Sequence, residues 1–176
     1  MKNNIKIIST FIFFIFFISV MFIGLKKDNN YNTKNLIGNK ISEFQIVSIN
    51  NNKIFFKNND LANNKFTLIN FFASWCAPCR LEHKYLMKLK KDSKEIKILG
   101  VNFKDKKSHA LSFLNELGNP YEFIAKDSDG SASVLFGVYG IPESILINNE
   151  QKIIKKFIGP INQSHYNELI KIVNKK

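Results

Sequence analysis

At 176 residues and a net charge of +12, the chain has room for one domain with a real core and too little for two of ordinary size. The basic balance does not read as nucleic-acid binding. Arg80 is the only arginine, and groove reading relies on bidentate arginine, whereas lysines scattered among asparagines and isoleucines read as a solvated surface.

In chain order, Ile7 to Leu25 carries no charge and, at about 19 residues, is long enough as a helix for a bilayer core of ~30 Å. A cleaved signal has a shorter apolar core and a small-x-small exit, whereas this segment leaves through Phe22-Ile23-Gly24-Leu25, so it reads as an uncleaved membrane anchor. Lys2 and Lys6 balance Lys26 and Lys27 across the span, and charge alone does not orient it. Asp28 to Asn35 is polar and aperiodic, as a tether would be. Ser42 to Ile49 and Lys53 to Phe56 flank the turn-like Asn50-Asn51-Asn52 and predict a hairpin. Phe66 to Phe72, almost continuously apolar, predicts a central strand covered on both faces.

That strand leads into Trp75-Cys76-Ala77-Pro78-Cys79, which holds both cysteines of the chain. Two thiols with two residues between them can close a small disulfide ring. A helix starting at the first thiol aims unpaired N–H groups and its positive dipole end at that sulfur. Cys76 is therefore the expected nucleophile, ionised at lower pH than an ordinary thiol, and Cys79 the thiol that resolves the mixed disulfide. A zinc site uses the same spacing but needs four ligands, and His83 could add only one more. A purely structural disulfide across so short a loop would stabilise little.

The helix carrying the cysteines is expected to bury a stripe of Leu81, Tyr85, Leu86 and Leu89. Ile96 to Val101 predicts a strand, Ser108 to Leu117 a helix stopped by Gly118, Tyr121 to Ile124 a short strand, and Asp127 to Phe136 a short helix. Ser144 to Ile147 and Ile153 to Ile158 predict an antiparallel pair, and Asn162 to Val173 a final helix. Strands alternating with helices, then a hairpin and a C-terminal helix, make an α/β fold with a mixed sheet between helices, in the order of a thioredoxin-like fold. The expected organisation is a membrane anchor over residues 1–27, a linker over 28–36 and a thioredoxin-like domain over 37–176.

Three segments carry a closer resemblance: NFFASWCAPCRLEH, VNFKDKKSHALSFLNELGNPYEF, and GVYGIPESILI followed by KFIGPI. Together they resemble the membrane-anchored thioredoxin-like proteins of cytochrome c maturation, the DsbE/CcmG type, from Ile37 to the C-terminus. The resemblance implies Cys76 as attacking thiol, Cys79 as resolving thiol and Pro142 as a cis-proline beside them, with Ile141 offering its backbone to an extended client segment. It implies Glu82 and Glu143 as acids of the active site and Tyr139, Trp75, Ala77 and Pro78 as its client-facing surface. Lys57 to Leu61, Ser108 to Leu117 and the Tyr121 strand fall where the family adds elements to a minimal thioredoxin.

The implied activity is reduction of the CxxCH disulfide of apocytochrome c, on the periplasmic side of the inner (cytoplasmic) membrane. The implied partners are apocytochrome c, a membrane-embedded thiol-disulfide electron donor and the haem-ligation machinery. No dissociable cofactor or metal is called for, because the cysteine pair is the redox group. Two further readings stay open: a general extracytoplasmic reductase, for instance for the copper-site thiols of an oxidase, and a non-catalytic module that holds a client.

Overall fold

The computed structural model describes the backbone of residues 2–25 and 36–174, and side chains of residues 6–22 and 36–174. It divides into two compact units, Met1–Asn32 and Thr33–Lys176.

The first unit contains one helix, α1 (Lys2–Leu25), in which Phe11, Ile12, Phe14, Ile15 and Phe16 are all exposed. The described side chains of α1 run from Lys6 to Phe22, and among the described residues no helix is long and apolar enough to cross a membrane. The expected linker lies outside the described residues except for Leu36.

The second unit is built on a seven-stranded mixed sheet. Its strands are β1 (Gln45–Ser48), β2 (Phe55–Lys57), β3 (Phe66–Phe72), β4 (Ile96–Phe103), β5 (Phe123–Asp127), β6 (Glu143–Asn148) and β7 (Ile153–Ile158), in the order β2-β1-β5-β4-β3-β6-β7. β3, β4 and β5 run parallel, while β6 and β7 add antiparallel strands at one side. The N-terminal hairpin forms with Ile46 opposite Phe56, and β1 also pairs antiparallel with β5, so the hairpin extends the sheet at the other side.

Alternation along β3 sorts the core into two layers. Leu68 and Phe72 face the layer completed by α3 (Ala77–Asp92), α4 (Lys107–Leu117) and α6 (Gln163–Val173), through Leu86, Phe113 and Leu169. Ile69 and Phe71 face the opposite layer, closed by α2 (Asn58–Ala62) and α5 (Ser131–Leu135) with Leu61, Ala132 and Phe136.

The structure departs from the sequence expectation along α3 and after β5. The buried stripe of α3 is Cys79, Glu82, His83, Leu86 and Leu89, and Leu81 is exposed; two buried polar residues hid the true stripe from a hydropathy reading. The helix expected over Asp127 to Phe136 is only α5. Asp127 ends β5 instead, and its carboxylate accepts from the N–H groups of Ala132 and Ser133 and from the Ser133 hydroxyl. A side chain that bonds backbone ahead of it stops one element and starts the next.

Candidate active site

β3 delivers the chain to the CxxC, and α3 begins there. Cys76 is the N-cap of α3, in extended conformation, and its sulfur accepts from the Cys79 N–H at 3.2 Å. Pro78 lies in the first turn, where its fixed φ fits and its missing N–H costs nothing. Cys76 and Cys79 form a closed disulfide with an S–S distance of 2.07 Å, and both are buried within the core layer that contains Phe72 and Leu86. Trp75, Ala77 and Pro78 are exposed.

The approach to the CxxC is held by a residue that the sequence reading missed. Asp105, just after β4, accepts from the Ser74 N–H at 2.7 Å, the Ser74 hydroxyl at 3.0 Å, the Asn102 amide at 3.1 Å and the Lys106 N–H at 2.8 Å. Burial opposes its charge, but these donors outweigh that and hold its carboxyl below the usual carboxylate range. The adjoining Lys104, at φ +42°, turns its carbonyl to the Trp75 indole N–H at 3.2 Å. Lys-Asp in a loop after a strand is a common surface pairing, so nothing in the sequence marked it out.

The second segment of the site, Gly137 to Glu143, approaches along β6. Phe71 pairs with Glu143 in the β3–β6 register, so Pro142, one residue further, stands at the end of β3 from which the CxxC departs. The Ile141–Pro142 peptide is cis and Pro142 is buried. Ile141, half-buried, packs against the core layer containing both cysteines, and Tyr139 is 77% exposed. Tyr139, Gly140 and Ile141 line one side of an apolar groove of about 510 Å³, with Phe103, Lys104 and Val134 among its other walls. Lys104 thus borders the groove and holds Trp75.

The two glutamates have different surroundings. Glu82 lies three residues beyond Cys79, on the same helix face, and is 1% exposed. Its Oε1 accepts from Asn70 at 2.8 Å and its Oε2 from the Ile161 N–H at 2.7 Å. Burial pushes its pKa up to about 7 despite these two donors. Asn70 also donates to Ser144 at 3.0 Å and accepts from the Tyr121 hydroxyl at 2.8 Å. Burial and the nearby Glu82 charge push the Tyr121 phenol up as well.

Glu143, by contrast, is a partner in an ion pair. Its Oε2 lies 2.8 Å from the Lys156 ammonium, and its Oε1 accepts from the Tyr139 N–H at 3.2 Å. The charge that the resemblance brings to the site through Glu143 is therefore compensated within the protein.

His83 donates through Nε2 to the Gly118 carbonyl at 2.9 Å and meets the Phe113 ring edge-on. Burial pulls its pKa down, favouring the neutral donor form. Among the described residues no group of three or more His, Cys, Asp or Glu side chains could hold a metal ion.

A family profile described as Redoxin matches residues 36–170. The thiol:disulfide interchange protein CycY of Rhizobium leguminosarum bv. viciae is 51% identical over 96 residues, which cover 54% of this chain and 51% of CycY. The thiol:disulfide interchange protein DsbE of Escherichia coli (strain K12) is 38% identical over 136 residues, covering 77% of this chain and 72% of DsbE. The chain thus spans about half the length of the first relative and more than two thirds of the second.

A Chlorobium tepidum protein assigned as a thiol:disulfide interchange protein DsbE superposes with a TM-score of 0.62 at 28% identity, over 77% of this chain and 93% of its own. The thioredoxin domain of a Bacteroides vulgatus thiol-disulfide oxidoreductase has a TM-score of 0.66 at 23% identity, over 78% of this chain and 98% of that domain, a likeness of fold alone. With its closed CxxC disulfide at a strand-to-helix junction of a thioredoxin-like fold, the chain belongs to the Redoxin family and is a thiol-disulfide oxidoreductase of the DsbE/CcmG type.

Proposed function

We propose that this oxidoreductase is a reductase tethered to the inner (cytoplasmic) membrane with its domain on the periplasmic side, and that it reduces the CxxCH disulfide of apocytochrome c before haem attachment. The observation that carries the reading is the Cys76–Cys79 disulfide at the start of α3, on the same end of the sheet as the cis Ile141–Pro142 peptide and its apolar groove. The cytochrome client follows from the resemblance of the LGNPY and GVYGIPE segments.

In the reduced enzyme the Cys76 thiolate attacks one sulfur of the client disulfide, forming a mixed disulfide as the other client sulfur leaves as a thiolate and takes a proton. The Cys79 thiolate then attacks the Cys76 sulfur, which closes the enzyme disulfide and releases the second client thiol. Two electrons and two protons pass to the client, and an external membrane-embedded thiol-disulfide carrier must return them. Ile141 pairs through its backbone with the extended client segment, and Tyr139 and Trp75 border it. The buried Glu82 carboxylate disfavours a thiolate nearby, which suits a reductant closer to ~−270 mV than to the ~−120 mV of a strong oxidant.

Tethering is supported by the sequence alone, through the uncharged run Ile7 to Leu25, about 19 residues long. The corresponding organisation is anchor 1–27, linker 28–36 and domain 37–176. Location outside the cytoplasm is supported by chemistry, since an oxidising space is where client disulfides form and need reduction.

A strain deleted for this chain should lose c-type cytochromes and regain them with added thiol reductant. Complementation with the full chain should succeed, and with residues 28–176 alone, retained in the cytoplasm, it should fail. Normal c-type cytochromes with loss of a copper-containing oxidase would move the client to copper-site thiols, and rescue by the cytoplasmic domain would refute the location.

A further inference from the structure

The pair Lys156–Glu143 lies behind the Gly137–Pro142 segment, on the side away from the disulfide chemistry described above. Lys156 enters from β7, in register with Ile145 of β6, and its side chain has no exposed surface. Its ammonium lies 2.8 Å from Glu143 Oε2 and donates to the Gly137 carbonyl at 2.5 Å. Glu143 Oε1 in turn accepts from the Tyr139 N–H. One cation and one carboxylate thus grip the segment at its first residue, its middle and the residue after Pro142. Gly137, at φ +65°, has a conformation that L side chains rarely adopt, and the N–H groups of Gly137 and Val138 bond back to Val134 and Ser133.

A buried ion pair gains little stability over apolar residues of the same volume, because desolvation offsets most of the attraction. What this pair supplies that apolar residues would not is a donor for Gly137 and an acceptor for Tyr139, so its contribution is to geometry. We propose that Lys156 is a positioning residue for client binding, fixing the Gly137–Pro142 segment in the shape that receives the client strand. The inference rests on the reading that this segment receives the client, and it assigns Glu143 to the same clamp.

The test uses the full-length protein in detergent and a synthetic peptide carrying an oxidised Cys-x-x-Cys-His disulfide. Lys156→Met alone leaves Glu143 buried without its cation and is expected to fold poorly. The double variant Lys156→Met with Glu143→Gln removes both charges and the donor to Gly137 while keeping an acceptor for Tyr139.

The double variant should fold, raise KM for the peptide about tenfold and leave kcat within about twofold, as expected for loss of a charged hydrogen bond that shapes the binding segment. An unchanged KM in the folded double variant, or equal losses in kcat and kcat/KM, would overturn the proposal. Failure of the wild-type rate to saturate with peptide would overturn the client reading, and the positioning role with it.

Discussion

Burial holds the Glu82 carboxyl near a pKa of about 7 even though Ile161 and Asn70 both donate to it. Because the folded-state value lies above the ordinary 4.5, the folded protein binds a proton that the unfolded chain has released between those two pH values. Stability therefore falls as pH rises from about 4.5 to about 7, by about 3 kcal/mol in all at 1.36 kcal/mol per unit. Glu82→Gln should flatten this decline, with Asn70 able to turn its amide to the new partner, and urea unfolding at pH 5 and pH 8 measures it. The same substitution should lower the apparent thiol pKa of the Cys76/Cys79 pair, read from thiolate absorbance, because among the described residues no cation pairs with Glu82 in the way that Lys156 pairs with Glu143. An equal pH slope in wild type and variant would show that Glu82 stays ionised.

Strand β4 makes room for the network around Glu82 by what it omits. Gly100 pairs with Asn70 of β3, and a Cβ at Gly100 would come within 2.8 Å of the Tyr121 ring. The missing side chain lets Tyr121 lie against the sheet, stack on Phe72 at 4.8 Å between centroids and reach Asn70 with its hydroxyl. Gly100→Ala should cost about 1–3 kcal/mol through overpacking, read as a lower urea midpoint at unchanged m. No loss would mean that the ring can shift freely.

Elements of this kind were legible in the sequence where a period or a punctuation mark identified them. β3 was plain as an apolar run, α4 as a stripe stopped by Gly118, and α3 as a helix opened by the CxxC. α2, at five residues, is too short for a helical period, whereas α5 was expected as a short helix and only its start was placed too early, at Asp127. The strand expected from Tyr121 begins instead at Phe123, because Tyr121 turns into the core beside Gly100.

Across the whole molecule, the site was legible wherever its chemistry is local in sequence, as it is for Cys76, Cys79 and the Ile141-Pro142 dipeptide. It was illegible where function depends on distant partners. Lys156 looks like one more lysine of a basic surface until β7 places it under the Gly137 loop, and Asp105 acquires its role only because the end of β4 meets the end of β3. The central claim, that Cys76 attacks a client disulfide and Cys79 resolves it, is tested most directly by trapping with the oxidised Cys-x-x-Cys-His peptide and each single cysteine variant in its thiol form, followed by mass spectrometry. Cys79→Ala should accumulate a peptide adduct on Cys76 that dithiothreitol releases, because the resolving step is missing, while Cys76→Ala should form none. An adduct on Cys79 in the Cys76→Ala protein, with none in Cys79→Ala, would reverse the roles and contradict the account.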